Sequence, residues 1–483
     1  LLLAATKQRI PLYPVSTGNN WGYGAALPPD PAAVIVDLHR LNQIDDSQLD
    51  LGVVTLEPGV TQQQLADFLD TRGYDFMVPV HGGGPKCSIV GNLLERGYGI
   101  TPHTDHFAAV TAIEALLPNG EIFRSAVHAS GGAGVDALFK WGAGPYLDGL
   151  FTQGAFGIVT RASVVLAPRP ERVESFVFRI ADNARLGEAV VAVREIIRSL
   201  PGTAAAINLM NARRVLSMMI PFPADELDRD GVVRSERIAQ LAKEYRVAAW
   251  TGFGALYGTP GAVRAARTLI RRRLRGISSR PIFIRPGLAR SAASWLDRLP
   301  AGWAAQLRAY LATLNKSLVV VEGRPAEIAL PLVYWRQGGA EGRTGLDPAR
   351  DQRGLIWYAP LVPARPAAVE TYVALADRVC REHAIEPLIT LTTLSDRCFD
   401  STVPILFDAS DEEEVARGQR CYRALVAAGK EHGFVPYRYP AHEMQHLIDA
   451  DATCWRWLAE LKRATDPANI LSPGRYAPLP RSD

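Results

Sequence analysis

Three glycine-rich loops within the first 160 residues, each following a short apolar strand pattern, constrain this chain more than any other feature. The first, "STGNNWGYGAA" (16–26), bunches Gly18, Gly22 and Gly24 with Ser16, Thr17, Asn19 and Asn20. "VHGGGPKCSIVGN" (80–92) and "GAGPYLDGLFTQGAFGIVT" (142–160) repeat that chemistry. Such loops expose backbone N–H groups where no side chain blocks approach, which is what a pyrophosphate requires. The first loop is not G-x-G-x-x-G and no helix pattern follows it, so a Rossmann fingerprint is absent. Turn glycines alone would explain any one loop. Three of them in one region point to a large phosphate-bearing ligand lying across a sheet.

The surrounding pattern is α+β with two domains. Over residues 1–170, "IPLYPVS", "AVIVDL" and "GVVTLEPG" read as strands. Thr61 with Gln64 forms a capping box for a helix ending at Gly73. "VTAIEALLPNGEIFRS" reads as a hairpin turning at Pro118-Asn119-Gly120. "FGIVTRASVVLAPRPE" alternates and stops at Pro168 and Pro170, which marks the domain boundary. Residues 171–434 then carry strands ("VESFVFRI", "SLVVVEG", "GLIWYAPLVP", "VPILFDA") and helices, with an Arg/Ala/Leu-rich helical excursion over about 260–315. Residues 435–483 form a closing segment.

Composition excludes several classes. With 53 basic against 50 acidic side chains and no basic block, nothing points to nucleic acid or an anionic membrane. No apolar run reaches the ~20 residues of a spanning helix. The five cysteines are scattered and never C-x-x-C, so free thiols in a reducing compartment are expected, without disulfides or structural zinc. A cytoplasmic site is the expectation, with the periplasm left open. The chain opens at Leu1 on what reads as the end of a helix, so an N-terminal portion is expected to precede it.

His442-Glu443-Met444-Gln445-His446 spells H-E-x-x-H, in which two histidines share a helix face and the Glu activates water. Pro440 favours a helix start rather than an interior there, and no spaced third ligand follows. No metal is expected. In the same stretch, Tyr437-Arg438 offers a permanently charged guanidinium beside a phenol, a pairing suited to an oxyanion.

Five ordered blocks then carry a resemblance: "PLYPVSTGNNWGYGAA", "GNLLERGYGITPHTDHF", "GPYLDGLFTQGAFGIVT", "GFVPYR" and "DPANILSPGRY". In order and spacing they resemble flavoenzymes of the vanillyl-alcohol oxidase and p-cresol methylhydroxylase family. The resemblance implies a two-domain PCMH-type FAD-binding fold with an α+β cap domain over the isoalloxazine. It implies FAD contacts at Ser16, Thr17, Gly18, Asn19, Asn20, Gly22, Gly91, Asn92, Gly154, Gly157, Ile158, Val159 and Arg475. It further implies that Tyr23, Tyr437 and Arg438 grip the oxygen of a para-substituted phenol, whose benzylic hydride passes to flavin N5 through a quinone methide. Oxygen or a cytochrome would take the electrons, and a homodimer or larger homo-oligomer is expected. A flavin dehydrogenase of a 2-hydroxy acid and a non-catalytic flavin-binding subunit remain alternatives.

Three departures from the family bear on mechanism. Where many members attach flavin to a His or Tyr, "LSDRCFDSTVPILF" has Asp400 or Ser401, so non-covalent FAD is expected; Cys87 and Cys398 are read as inert thiols. Where the family often has an aspartate base, the position falls on Val80 or His81. His81 is either the base or a loop histidine bonded to backbone. A pocket tyrosine of the family is Ile100 here, while Asp105 and His106 are read as structural residues near the cofactor.

Overall fold

The structure, a computed structural model, describes residues 1–287 and 317–478 and divides into two units. The first comprises Leu1–Gly99, Asp105–Pro168 and the described residues from Arg438 onward. Its opening strand, Leu12–Val15, pairs in parallel with Val34–Asp37. On the other side it meets the C-terminal segment, for the Leu12 N–H donates to Ile470 O at 2.6 Å and the Ser472 N–H donates to Leu12 O at 2.7 Å. Leu2, Ala5, Leu12, Ile158, Ile470 and Leu471 close over one another as a core cluster. Chain start and chain end are therefore one hydrophobic unit.

A five-stranded antiparallel sheet stands in the order Ile44–Asp45, Val53–Leu56, Ile158–Val165, Val110–Leu116, Ile122–Arg124. Val110–Leu116 and Ile122–Arg124 form the expected hairpin, and Gly120 takes φ 87°, a left-handed conformation that glycine adopts without a Cβ penalty. The helix Gln62–Arg72 starts on the foreseen capping box, Gln64 N–H to Thr61 Oγ1 at 3.1 Å and Thr61 N–H to Gln64 Oε1 at 2.8 Å, and stops at Gly73.

The C-terminal segment is anchored by a buried ion pair. Lys462 Nζ lies 2.5 Å from Asp466 Oδ2 and donates to Ala155 O at 2.7 Å and Leu471 O at 2.8 Å. Asp466 accepts in turn from the Ile470 and Leu471 amides.

The second unit comprises Ile100–Thr104 and the described residues of Arg169–Tyr437. Its antiparallel sheet runs Ile282–Ile284, Arg172–Ile180, Trp250–Gly258, Ala204–Asn211, Thr390–Thr393, Cys398–Asp408, Arg353–Tyr358, with Leu361–Pro363 also on Cys398–Asp408. The helices Leu186–Ser199, Pro260–Arg273 and Glu412–Glu431 lie against it. Pro366–Glu382 packs on Leu186–Ser199 and Glu412–Glu431, burying Val369, Tyr372, Leu375, Ala376, Val379 and Cys380, a stripe at helical spacing.

Two departures from the sequence reading stand out. "SLVVVEG" is not a strand, since residues 317–321 are helical. A short apolar run buried at Leu318, Val320 and Val321 has no period that separates helix from strand. The helical excursion over about 260–315 holds only at Pro260–Arg273; Ile282–Ile284 is instead an edge strand paired with Arg172–Ile180, and 288–316 lie outside the described residues. Among the described residues no helix is long and apolar enough to cross a membrane, and all five cysteines are free thiols.

Candidate active site

The site is built in the first unit from two of the glycine loops. In the loop after Leu12–Val15, Gly18, Gly22 and Gly24 take φ of 72°, 77° and 105°, the left-handed region that glycine enters without a Cβ penalty. That loop is laced to the one at 80–92: Asn19 Nδ2 donates to Lys86 O at 3.0 Å, Trp21 Nε1 to Gly83 O at 3.2 Å, and the Ser88 N–H to Thr17 Oγ1 at 3.1 Å. Gly91 is required by close approach, because a Cβ there would lie 2.5 Å from Ser16 Oγ. Gly24 serves the C-terminal segment in the same way, since its Cβ would lie 2.9 Å from Ala441 Cβ, and the Ala441 N–H donates to Tyr23 O at 3.0 Å.

This seating delivers Arg438 to the loop. Its guanidinium carbon stands 4.1 Å from the centroid of the Tyr23 ring, Nη2 donates to Asn20 Oδ1 at 2.6 Å, and Nε lies 3.4 Å from Glu95 Oε2. Glu95 also pairs with Arg475, which donates to the Tyr13 hydroxyl at 2.9 Å. Burial pushes the Glu95 carboxyl up, but Arg475 and then Arg438 outweigh it and hold the group below its ordinary range. The carboxylate is therefore ionised, and the cluster keeps a net positive charge. Glu95 was not foreseen. It caps the C-terminal end of Ile89–Leu94, where the helix dipole disfavours an acid, and that local misfit was the available signal of a tertiary partner.

His81 lies in the same unit. Its N–H donates to Gln62 Oε1 at 2.9 Å and its Nδ1 accepts the Gly83 N–H at 3.2 Å, so it is bonded to its own loop backbone. Nε2 is buried and has no hydrogen-bond partner among the described residues. Burial, followed by the nearby Arg438 charge, takes the imidazole pKa down to about 4. Burial pushes the neighbouring Cys87 thiol up to about 12, so it is held protonated.

Other expected residues are placed as follows. Asn92 Nδ2 lies 2.6 Å from His106 Nδ1. Gly154 allows backbone approach, since its Cβ would lie 2.0 Å from Leu150 O, and a Cβ at Gly157 would lie 2.9 Å from Phe151 Cε1. Ile158 and Val159 are buried at the start of their strand. Asp105 accepts from the Tyr98 hydroxyl at 3.2 Å. Tyr437 and Ile100 belong to the second unit, as do Asp400, Ser401 and Cys398 in the strand Cys398–Asp408. The H-E-x-x-H stretch is not one helix: a turn at Ala441–Glu443 precedes the short helix Met444–Leu447, with His442 exposed and Glu443 buried. Among the described residues no cluster of His, Cys, Asp or Glu could hold a metal ion.

The first unit fits a flavin nucleotide on its own observations. Among the described residues the amides of Thr17 through Trp21 meet no protein acceptor, and His81 Nε2 is a buried polar atom with no protein partner. The family described as FAD binding domain matches residues 1–126, so the fold and the site define a flavin-dependent oxidoreductase. The 1'-carboxy-chondrochloren decarboxylase of Chondromyces crocatus is 34% identical over 474 residues, 98% of this chain and 87% of that protein. The 4-cresol dehydrogenase (hydroxylating) flavoprotein subunit of Pseudomonas putida is 28% identical over 97% of this chain and 83% of its own length. The crystal structure of p-cresol methylhydroxylase with substrate bound superposes with a TM-score of 0.85 at 26% identity, covering 100% of this chain and 87% of that one. The chain belongs to the PCMH-type (p-cresol methylhydroxylase) family of FAD-dependent oxidoreductases, and FAD is its cofactor.

Proposed function

We propose that this enzyme oxidises a para-substituted phenol at its benzylic carbon, holding the aryl oxygen as a phenolate between Arg438, Tyr23 and Tyr437. The observation that carries the reading is the Arg438 guanidinium stacked 4.1 Å from the Tyr23 ring and fixed by Asn20 and Glu95. A cation held on three sides before the substrate arrives needs little reorganisation when charge develops. Arg438 favours the ionised phenol, and the phenolate pushes electron density to the para carbon. FAD, when bound, supplies the two-electron acceptor for the hydride that leaves the benzylic carbon, and the oxidised substrate is a neutral quinone methide. The backbone of the 16–24 loop, with Ser16, Thr17, Asn19 and Asn20, holds the cofactor's phosphates in this reading, joined by Gly91, Asn92, Gly154, Gly157, Ile158, Val159 and Arg475. Oxygen or a cytochrome then takes the electrons.

This assignment is tested by titrating bound 4-nitrophenol by difference absorbance. Its pKa on the enzyme is expected about 1–3 units below the solution value; a pKa at or above the solution value would contradict phenolate binding. We also propose non-covalent FAD, because Asp400 and Ser401 stand where many members carry the linking His or Tyr. Acid precipitation should leave the yellow colour in the supernatant, and a coloured pellet would contradict it.

The similarity to a decarboxylase favours a second reading of the same site. If the phenol carries a carboxylate on the carbon next to the benzylic one, the quinone methide can lose carbon dioxide. The pair from the broken C–C bond forms the side-chain double bond, and the ring returns to phenolate. This outcome needs no added water and no base.

A further inference from the structure

We propose that His81 acts on the bound ligand as a fixed hydrogen-bond donor through Nε2–H, toward an oxygen or nitrogen acceptor of the flavin or of the substrate's side chain, and not as a proton-abstracting base. A ring nitrogen that accepts a hydrogen bond carries its lone pair, so with Nδ1 taking the Gly83 N–H at 3.2 Å the neutral ring has its proton on Nε2. Position 83 permits this because it lacks a side chain: a Cβ there would lie 3.0 Å from Nδ1, 2.9 Å from Cε1 and 2.7 Å from Cys87 Sγ. The other end of the loop is clamped by Gln62, whose Oε1 accepts the His81 N–H and whose Nε2 donates to Gly84 O at 2.8 Å. Turning the ring over would put Cδ2 where Nδ1 stands and leave the Gly83 amide unmet.

Nε2 is buried and meets no partner among the described residues, so the site is incomplete until a ligand brings an acceptor. The groups facing the ring keep it neutral. Arg438 opposes a second cation, the Cys87 thiol stays protonated, and the His106 ring lies 6.4 Å away with Nδ1 on Asn92. The Glu95 carboxylate is engaged by Arg475 and Arg438. With its pKa near 4, the imidazole is a neutral donor throughout the range in which a phenol oxidation is assayed. A proton acceptor would need the lone pair that Gly83 already occupies.

The substrate arm rests on the phenol reading above; the flavin arm and the tautomer do not. The experiment is nitrogen NMR of the histidine-labelled holoenzyme, with the His81 signal identified by its loss in His81→Gln. The expected result is a neutral ring protonated at Nε2 from pH 5.5 to 8.5. A ring titrating near pH 6–7, or one protonated at Nδ1, would overturn the proposal.

His81→Leu and His81→Gln then locate the acceptor, with circular dichroism confirming that each folds. If it is on the flavin, His81→Leu weakens FAD binding and shifts the flavin absorption band without substrate. If it is on the substrate, reduction slows roughly ten-fold more for phenols with a side-chain carboxylate or hydroxyl than for 4-ethylphenol, and His81→Gln recovers part of the loss. No change in either property, or loss of an ionisation near neutrality from the rate profile, would overturn the proposal. If no phenol reduces the flavin, the phenol reading fails, and the NMR and FAD-binding results still decide the role of His81.

Discussion

Replacing Arg438 by alanine is expected to slow flavin reduction by a 4-alkylphenol roughly 10²–10³-fold, the usual cost of losing one preorganised group aimed at developing charge. The guanidinium is set by its stacking on Tyr23, its bond to Asn20 and its approach to Glu95, so the loss removes charge and geometry together. Lysine should recover little, because a compact ammonium can neither stack as a plane nor divide its donors along two edges. The pH response has a definite sign. Without Arg438 the bound phenol's pKa returns toward its solution value, so the rate should rise only at more alkaline pH. Rapid-mixing absorbance under anaerobic conditions measures both effects, and a variant within two-fold of the parent enzyme with an unmoved pH profile would remove Arg438 from the chemistry.

The second large effect concerns stability. Asp466→Ala is expected to destabilise the first unit by about 3–5 kcal/mol, because it leaves the buried Lys462 ammonium without its counter-ion. Both groups are almost wholly enclosed, at 5% exposure for Lys462 and 1% for Asp466. The change also leaves the Ile470 and Leu471 amides without an acceptor. In a unit of this size the melting temperature should fall on the order of 10 °C. The double variant Lys462→Met with Asp466→Leu should recover part of that, since removing both charges also removes their desolvation cost. Calorimetry decides it: a loss below about 1 kcal/mol would show that the pair is solvated or dispensable.

What could be read from the sequence follows from how local each feature is. The capping box at Thr61 and Gln64 and the turn at Gly120 use neighbours in the chain, and both appear as read. The strand Trp250–Gly258 was not foreseen, because its glycines argue against strand until their partners are known. Phe178 and Phe176 pair across from Gly252 and Gly254, and a Cβ at those glycines would lie 2.1 and 2.6 Å from the two rings. The aromatic rings supply the packing that the glycines lack, a tertiary fact with no local trace. The Ala-rich strand Ala204–Asn211 was missed for lack of alternation. At the site, Tyr23 and Arg438 lie at opposite ends of the chain, and no periodicity links them. The ordered family blocks joined them, and the fold accounts for it by returning the C-terminal segment to the first strand. The tautomer of His81 depends on one amide two residues away and could be seen only in three dimensions.

The most direct test of phenol oxidation is anaerobic titration of the FAD-loaded enzyme with 4-ethylphenol, with a para-hydroxyphenyl compound bearing a carboxylate beside the benzylic carbon, and with lactate. Bleaching of the flavin band by about one equivalent of a phenol, accompanied by carbon dioxide if the carboxylate-bearing compound is the substrate, and no bleaching by lactate, is the expected result. Bleaching by lactate with both phenols inert, or no bleaching by any of the three, would contradict it.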